Sequence, residues 1–236
     1  MEERIKLIAF DLDNTLVDFI RFKTLAAYEA VSAMRDAGLP LSQQKGYDCL
    51  METYWDVGIE SDEVLEEFFL RAGVENDPKI LAAGIRQYQK TRSAFMNPYP
   101  KTISTLVELI RRGFQLAILT DAPRLKAWKR LAEMRLMEFF DYVLTKQEIG
   151  EAKPSALPFL KLMKKANVEP HQVAMVGDNP VKDVQGAQNV GICAILAHYG
   201  TEPKFEDQLE FVTPDYEISA IDDLLTLDIL QAADPS

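Results

Sequence analysis

Residues 97–120, NPYPKTISTLVELIRRGFQLAILT, carry the reading on which the fold turns. The prolines of NPYP punctuate the chain. TISTLVELIRRG then spaces its apolar residues as an amphipathic helix does and stops at a glycine, and FQLAILT is an apolar run of the length of a buried strand. A helix feeding into a buried strand is one unit of an alternating pattern, and the pattern continues downstream. A helix from about Arg124 to Met134 leads to the strand DYVLT (141–145), a helix after KPS (153–155) leads to VAMVG (173–177), and a helix after NP (179–180) leads to GICAIL (191–196). A further strand near Tyr216 and a last helix from Ile221 follow. Short apolar strands alternating with helices predict a parallel sheet wrapped by helices on both faces.

The first strand lies upstream, in residues 5–19, IKLIAFDLDNTLVDF, where an apolar run ends in Asp11 and Asp13. If strand geometry persists there, the two acids share a face about 6.5 to 7 Å apart. At an effective dielectric constant near 20 their repulsion is on the order of 2 to 3 kcal/mol if both are ionised. Something must offset that charge. Between this strand and residue 97 the periodicity is helical only. Asp18 can cap a helix with apolar residues at Phe19, Phe22, Leu25, Val31 and Met34 that ends at Gly38, and a second helix is expected around Cys49 to Trp55. Ser61 is placed to cap a third, DEVLEEFFLRAG, whose acidic first turn and Arg71 near its end suit the helix dipole. A fourth is expected from Pro78 to Phe95. The predicted organisation is therefore an α/β core of residues 1–17 and 97–236 interrupted by an all-helical domain, residues 18–96.

Composition narrows the function. The 236 residues, 47% of them hydrophobic, supply a sizeable core. No apolar stretch approaches the roughly 18 residues of a membrane span, and a first strand within five residues of the start leaves no room for a signal peptide. Cys49 and Cys193 form neither a disulfide framework nor a metal-ligand spacing, which fits a reducing, cytoplasmic setting. A net charge of -11 argues against nucleic acid or a membrane surface as partner, because both are bound through clustered Lys and Arg. An anionic small substrate would need its positive charge supplied locally, by a lysine, backbone N–H groups or a metal.

In an open parallel sheet, ligands bind beyond the carboxyl ends of the strands. There the sequence places Asp11 and Asp13 after the first strand, Thr120 and Asp121 after LAIL, Lys153 in the loop EAKP, and Asp178 and Asp183 in GDNPVKDV. Each has an ordinary reading by itself. Asp18 is a helix cap, Asp178 and Asn179 stand where a cap is expected before Pro180, and Asp183 is a first-turn acid. Four distant segments converging on one sheet edge are harder to explain structurally. His171 and His198 have no partner at ligand spacing, and Cys193 reads as strand packing. Tyr54 and Trp55 read as core, and Arg21 and Lys23 are candidates to meet a substrate carboxylate or second phosphate.

DLDNTL, the LT of LAILTD, the lysine of GEAKPSALPF and VGDNPVKDVQGAQNVGI together resemble the four ordered motifs of the haloacid dehalogenase-like superfamily, phosphatase type with a helical cap. The resemblance implies a Rossmann-like core, a cap domain inserted after the first strand, and a magnesium-dependent phosphatase acting on a small phosphomonoester, phosphoglycolate-like or triose-phosphate-like. It implies that Asp11 is the nucleophile that becomes an aspartyl phosphate and that Asp13 is the general acid and base. Thr120 with the N–H of Asp121, and Lys153, would hold phosphate oxygens, with Arg21 a further substrate contact. Magnesium would be held by Asp11, the backbone carbonyl of Asp13 and Asp178, with Asp183 bound through water or holding the site in place. Asp121 departs from the Asn, Ser or Gly common in the family, which bears on substrate preference. Asp13 argues against carbon–halogen cleavage, which needs no leaving-group proton. A sugar-phosphate mutase on the same core and a non-catalytic magnesium-dependent phospho-acceptor or binding module are the alternatives. A monomer or homodimer is expected.

Overall fold

The computed structural model describes residues 4–61 and 63–231. The chain divides into two compact units, Met1–Asp18 with Asn97–Ser236, and Phe19–Met96. The first is built on six strands, β1 (Leu7–Phe10), β2 (Gln115–Thr120), β3 (Tyr142–Thr145), β4 (Val173–Gly177), β5 (Cys193–Ala197) and β6 (Tyr216–Ile218), in the order β3-β2-β1-β4-β5-β6 with every pairing parallel. Ile8 sits opposite both Leu116 and Ala174, so β1 is fully enclosed. That is why it reads as an unbroken apolar run: all four of its residues are buried, and an alternating pattern would put a polar side chain into one of two cores. Leu7, Ala9, Leu119 and Met175 pack on one face with Phe159 and Leu162. Each of the leucine, methionine and phenylalanine side chains contributes about 1.5–3 kcal/mol on burial. The strand order reverses at β1, with β2 on one side and β4 on the other, and opens a crevice at their carboxyl ends.

The second unit contains α1 (Phe19–Asp36), α2 (Gln43–Val57), α3 (Val64–Ala72) and α4 (Pro78–Phe95). Its core gathers Ala27, Val31, Met34, Leu50, Tyr54, Phe68, Phe69 and Ile80. Gly84 of α4 lets α1 come close, since a Cβ there would lie 2.1 Å from the methyl of Met34. Asp77 caps α4, accepting from the Lys79 N–H at 2.8 Å, and Pro78 opens it.

Several expectations are corrected. The third helix starts at Val64 and not at the start of DEVLEEFFLRAG: Glu63 stands at its N-cap, with its N–H donating to the Ser61 hydroxyl at 3.2 Å, and Asp62 lies outside the described residues. The segment after NP winds as a wide π turn, Pro180–Gln185, before one α turn, Gly186–Gln188. The last helix from Ile221 is a pair of 3₁₀ turns, Ile221–Thr226 and Asp228–Leu230, because extended Leu227 interrupts it. The first strand ends at Phe10, so Asp11 and Asp13 stand on the loop beyond it rather than on one strand face. Between the strands of the first unit run α5 (Thr102–Arg111), α6 (Arg124–Glu133), α7 (Lys146–Ile149) and α8 (Ala156–Ala166). Among the described residues no helix is long and apolar enough to cross a membrane.

Candidate active site

The crevice at the carboxyl edge of the sheet is lined by Asp11, Asp13, Asn14, Thr120, Asp121 and Ala122, and by Lys153, Asp178, Asn179, Lys182, Asp183 and Phe205. Each sequence-predicted residue of the core unit is therefore here. Arg21 belongs to the other unit, exposed on α1.

Asp11 extends the ladder by one bond past the strand end, its N–H donating to the Val176 carbonyl at 2.9 Å, and this fixes its backbone between β1 and β4. Lys153 reaches in from the loop before α8. Its Nζ donates to Asp11 Oδ1 at 2.5 Å, Asp183 Oδ1 at 2.6 Å and the Leu119 carbonyl at 2.9 Å, which uses all three ammonium protons. Burial works against that charge, but the carboxylates of Asp11, Asp183 and Asp121 outweigh it and raise the Lys153 pKa above the ordinary lysine value.

Asp178 follows β4, and the Thr15 hydroxyl donates to its Oδ1 at 3.3 Å. Asn179 caps the π turn, its Oδ1 accepting from the N–H groups of Val181 and Lys182 at 3.1 and 2.9 Å, so the cap belongs to Asn179 and the Asp178 carboxylate is left for the crevice. Asp183, one turn on, accepts from the Asn179 N–H at 3.0 Å and points back at the strand end. Only glycine at position 177 permits this. A Cβ there would lie 2.3–2.4 Å from the Asp183 carboxyl group.

Asp11, Asp178 and Asp183 are all buried, and one carboxylate oxygen from each lies within 4.8 Å of the others. Such a group of oxygens fits a hard divalent cation. The strain of the arrangement is electrostatic. Burial, opposed by Lys153 and reinforced by Asp183 and Asp13, raises the Asp11 pKa to about 7, and burial with the charges of Asp183 and Asp11 lifts Asp178 well above the carboxylate range. One lysine does not balance these acids. A cation coordinated by them would, and the donor chemistry suits one.

Thr120 ends β2 and is buried, its Oγ1 accepting from the Ala122 N–H at 3.2 Å, which leaves the hydroxyl proton available to a ligand oxygen. Asp121 does not face the crevice uncompensated. Its Oδ1 accepts from the Lys153 N–H at 3.1 Å, and Lys182 Nζ stands 3.4 Å from Oδ2. Asp13 carries a partner that sequence reading passed over: Arg130 of α6, whose Nη1 donates to Asp13 Oδ2 at 2.8 Å. The available signal was a basic residue on the inward stripe of that helix, beside Ala127 and Leu131. Lys182 and Gly177 were also passed over, since neither type is unusual in a loop or at a strand end.

The remaining candidates are unremarkable. His171 is exposed, His198 Nδ1 pairs with Glu217 at 2.9 Å, and Cys193 is a partly buried strand residue. Tyr54 is buried in the helical unit with the Lys23 ammonium 3.8 Å from its ring, whereas Trp55 is 48% exposed and is no part of the core.

Comparison with known proteins accords with this geometry. Residues 8–197 match the model of the family described as haloacid dehalogenase-like hydrolase. The chain is 31% identical over 223 residues to a glyceraldehyde 3-phosphate phosphatase of Methanothermobacter thermautotrophicus, covering 94% of this chain and 98% of that one. It is 31% identical over 222 residues to a phosphoglycolate phosphatase of Vibrio vulnificus, covering 89% and 92%. A crystal structure of a predicted phosphoglycolate phosphatase from Haemophilus somnus superposes with a TM-score of 0.66 at 26% identity, covering 96% of this chain and 98% of that one. By the matched motifs, the parallel sheet and its carboxyl-edge cluster, the chain belongs to the haloacid dehalogenase-like hydrolases.

Proposed function

We propose that this chain is a magnesium-dependent phosphatase that hydrolyses a small phosphomonoester through an aspartyl phosphate formed on Asp11. The observation that carries the reading is the buried Lys153 ammonium bridging Asp11 and Asp183 inside a three-carboxylate cluster at the sheet's switch point. The names of the relatives, a glyceraldehyde 3-phosphate phosphatase and a phosphoglycolate phosphatase, support a three-carbon or two-carbon phosphate as substrate.

Asp11 Oδ attacks phosphorus and forms the acyl-phosphate bond while the bond to the leaving oxygen breaks. Asp13 donates a proton to that oxygen, then takes one from the water that hydrolyses the acyl phosphate. The Thr120 hydroxyl and the Asp121 N–H hold one phosphoryl oxygen, and Lys153 neutralises another. Asp11, Asp178, the Asp13 carbonyl and Asp183, the last through water, would hold magnesium, which when bound supplies positive charge to the phosphoryl oxygens. The all-helical unit, inserted between two segments of the core, has the role of the substrate-selecting cap. The free cysteines suit the cytoplasm, and the working form is a monomer or homodimer.

Incubating the protein with small phosphomonoesters and p-nitrophenyl phosphate, with and without magnesium, tests this. Magnesium-dependent phosphate release that Asp11→Asn abolishes is expected. Phosphate retained on Asp11 without turnover would replace the reading with a phospho-acceptor.

A further inference from the structure

A buried arginine on a peripheral helix needs a reason. Arg130 is 6% exposed and shares the inward face of α6 with Ala127 and Leu131, a face whose other buried side chains are apolar. Desolvating a guanidinium is costly, and replacing a buried ion pair by hydrophobic residues is often neutral or stabilising. Stability alone therefore does not account for the residue. What it touches does: Nη1 donates to Asp13 Oδ2 at 2.8 Å, across 117 residues of sequence. The Asp13 side chain is 22% exposed against 7% for that of Arg130, so the acid stands at the crevice and the arginine behind it.

We propose that Arg130 is a positioning residue for proton transfer. Its guanidinium holds Asp13 Oδ2 and so fixes the orientation in which the carboxyl group delivers a proton to the leaving oxygen and later removes one from water. This rests on the phosphatase reading above. In the first step the Asp11–phosphorus bond forms, the bond from phosphorus to the leaving oxygen breaks, and the Asp13 carboxyl proton passes to that oxygen. In the second, water oxygen bonds to phosphorus, its proton returns to the Asp13 carboxylate and the Asp11–phosphorus bond breaks. A carboxylate free to rotate would present either oxygen at variable distance, and misplacement of about 1 Å costs on the order of 100-fold.

The leaving group separates this role from a structural one. An alkyl phosphate needs its leaving oxygen protonated, whereas p-nitrophenolate departs without a proton. We compare kcat/KM, which reports steps through departure of the leaving group, for an alkyl ester such as glycerol phosphate and for p-nitrophenyl phosphate. Arg130→Met is expected to lower the alkyl value about 10- to 100-fold and the aryl value less than about 3-fold. In an Asp13→Asn background the same change is expected to add no further loss on the alkyl ester, because the group it positions is gone. Arg130→Lys, which keeps the charge without the planar fork, is expected to fall between wild type and Met. Equal losses on both esters, an undiminished loss in the Asp13→Asn background, or an Arg130→Met variant as active as wild type on the alkyl ester would each overturn the proposal. Should the Met variant melt below the assay temperature, the alkyl-to-aryl ratio of Arg130→Lys decides by the same criterion. Failure of the wild type to release phosphate from either ester would sink the phosphatase reading itself.

Discussion

Asp121 follows Thr120 at the carboxyl edge of the sheet, and its surroundings say what its charge does. Its Oδ1 is engaged by the Lys153 N–H, a contact that an asparagine oxygen reproduces, while Oδ2 faces Lys182 at the edge of the crevice. The negative charge thus pairs with Lys182 and repels a phosphate, while the Oδ1 contact to Lys153 needs only an acceptor oxygen. Asp121→Asn is expected to lower KM about 2- to 5-fold, the size of a partly screened unit charge, and to leave kcat within about 2-fold. Steady-state kinetics on a triose phosphate and on p-nitrophenyl phosphate would check it, and a large fall in kcat at unchanged KM would refute it. The type of this residue was legible in the sequence. Its pairing was not, because Lys182 lies 61 positions away and only the turn after β4 brings it near.

At the scale of elements, the site depends on how closely the turn after β4 folds back over the strand end. Gly177 ends the strand with no side chain, and the π turn Pro180–Gln185 returns Asp183 into the space a Cβ would fill. Asp183 cannot give way, since it is 2% exposed and held by both Lys153 and the Asn179 N–H. Gly177→Ala is therefore expected to destabilise by about 1–3 kcal/mol and to reduce phosphate release together with stability. Chemical denaturation measures the first and the phosphate-release assay the second; an unchanged midpoint would mean that the turn yields more easily than its bonds imply. Sequence periodicity marked a helix here and missed the π turn, because the extra residue in the turn alters hydrogen-bond register without altering the apolar spacing.

For the whole molecule, the consequence is a linkage between protons, cation and stability. The Asp11 pKa, raised from 3.8 to about 7, and that of Asp178, also raised, mean that the cation-free folded protein keeps protons that the unfolded chain would release. Stability from this source is highest below the ordinary carboxylate value, falls as pH rises between about 4 and 7, and is lowest above 7. A divalent cation binds the ionised form, so its stabilising effect grows over the same interval. Magnesium is expected to raise the thermal midpoint by several degrees at about pH 8 and by much less at about pH 5, as read by calorimetry. A shift as large at the lower pH would contradict the three-carboxylate site.

The sequence by itself determined the α/β class, the position of the helical insertion, the strands to within a residue or two and the residues at the strand ends, because burial on both faces and helical periodicity are written in local composition. It also marked Asp11, Asp13, Thr120, Lys153, Asp178 and Asp183 as candidates, through spacing and order along the chain. Tertiary structure alone decided the strand order that makes β1 the centre, the three bonds of the Lys153 ammonium, the Gly177–Asp183 packing and the Arg130–Asp13 pair. Those are contacts between segments distant in the chain, and their energies depend on distance and burial, which no local pattern of residues specifies.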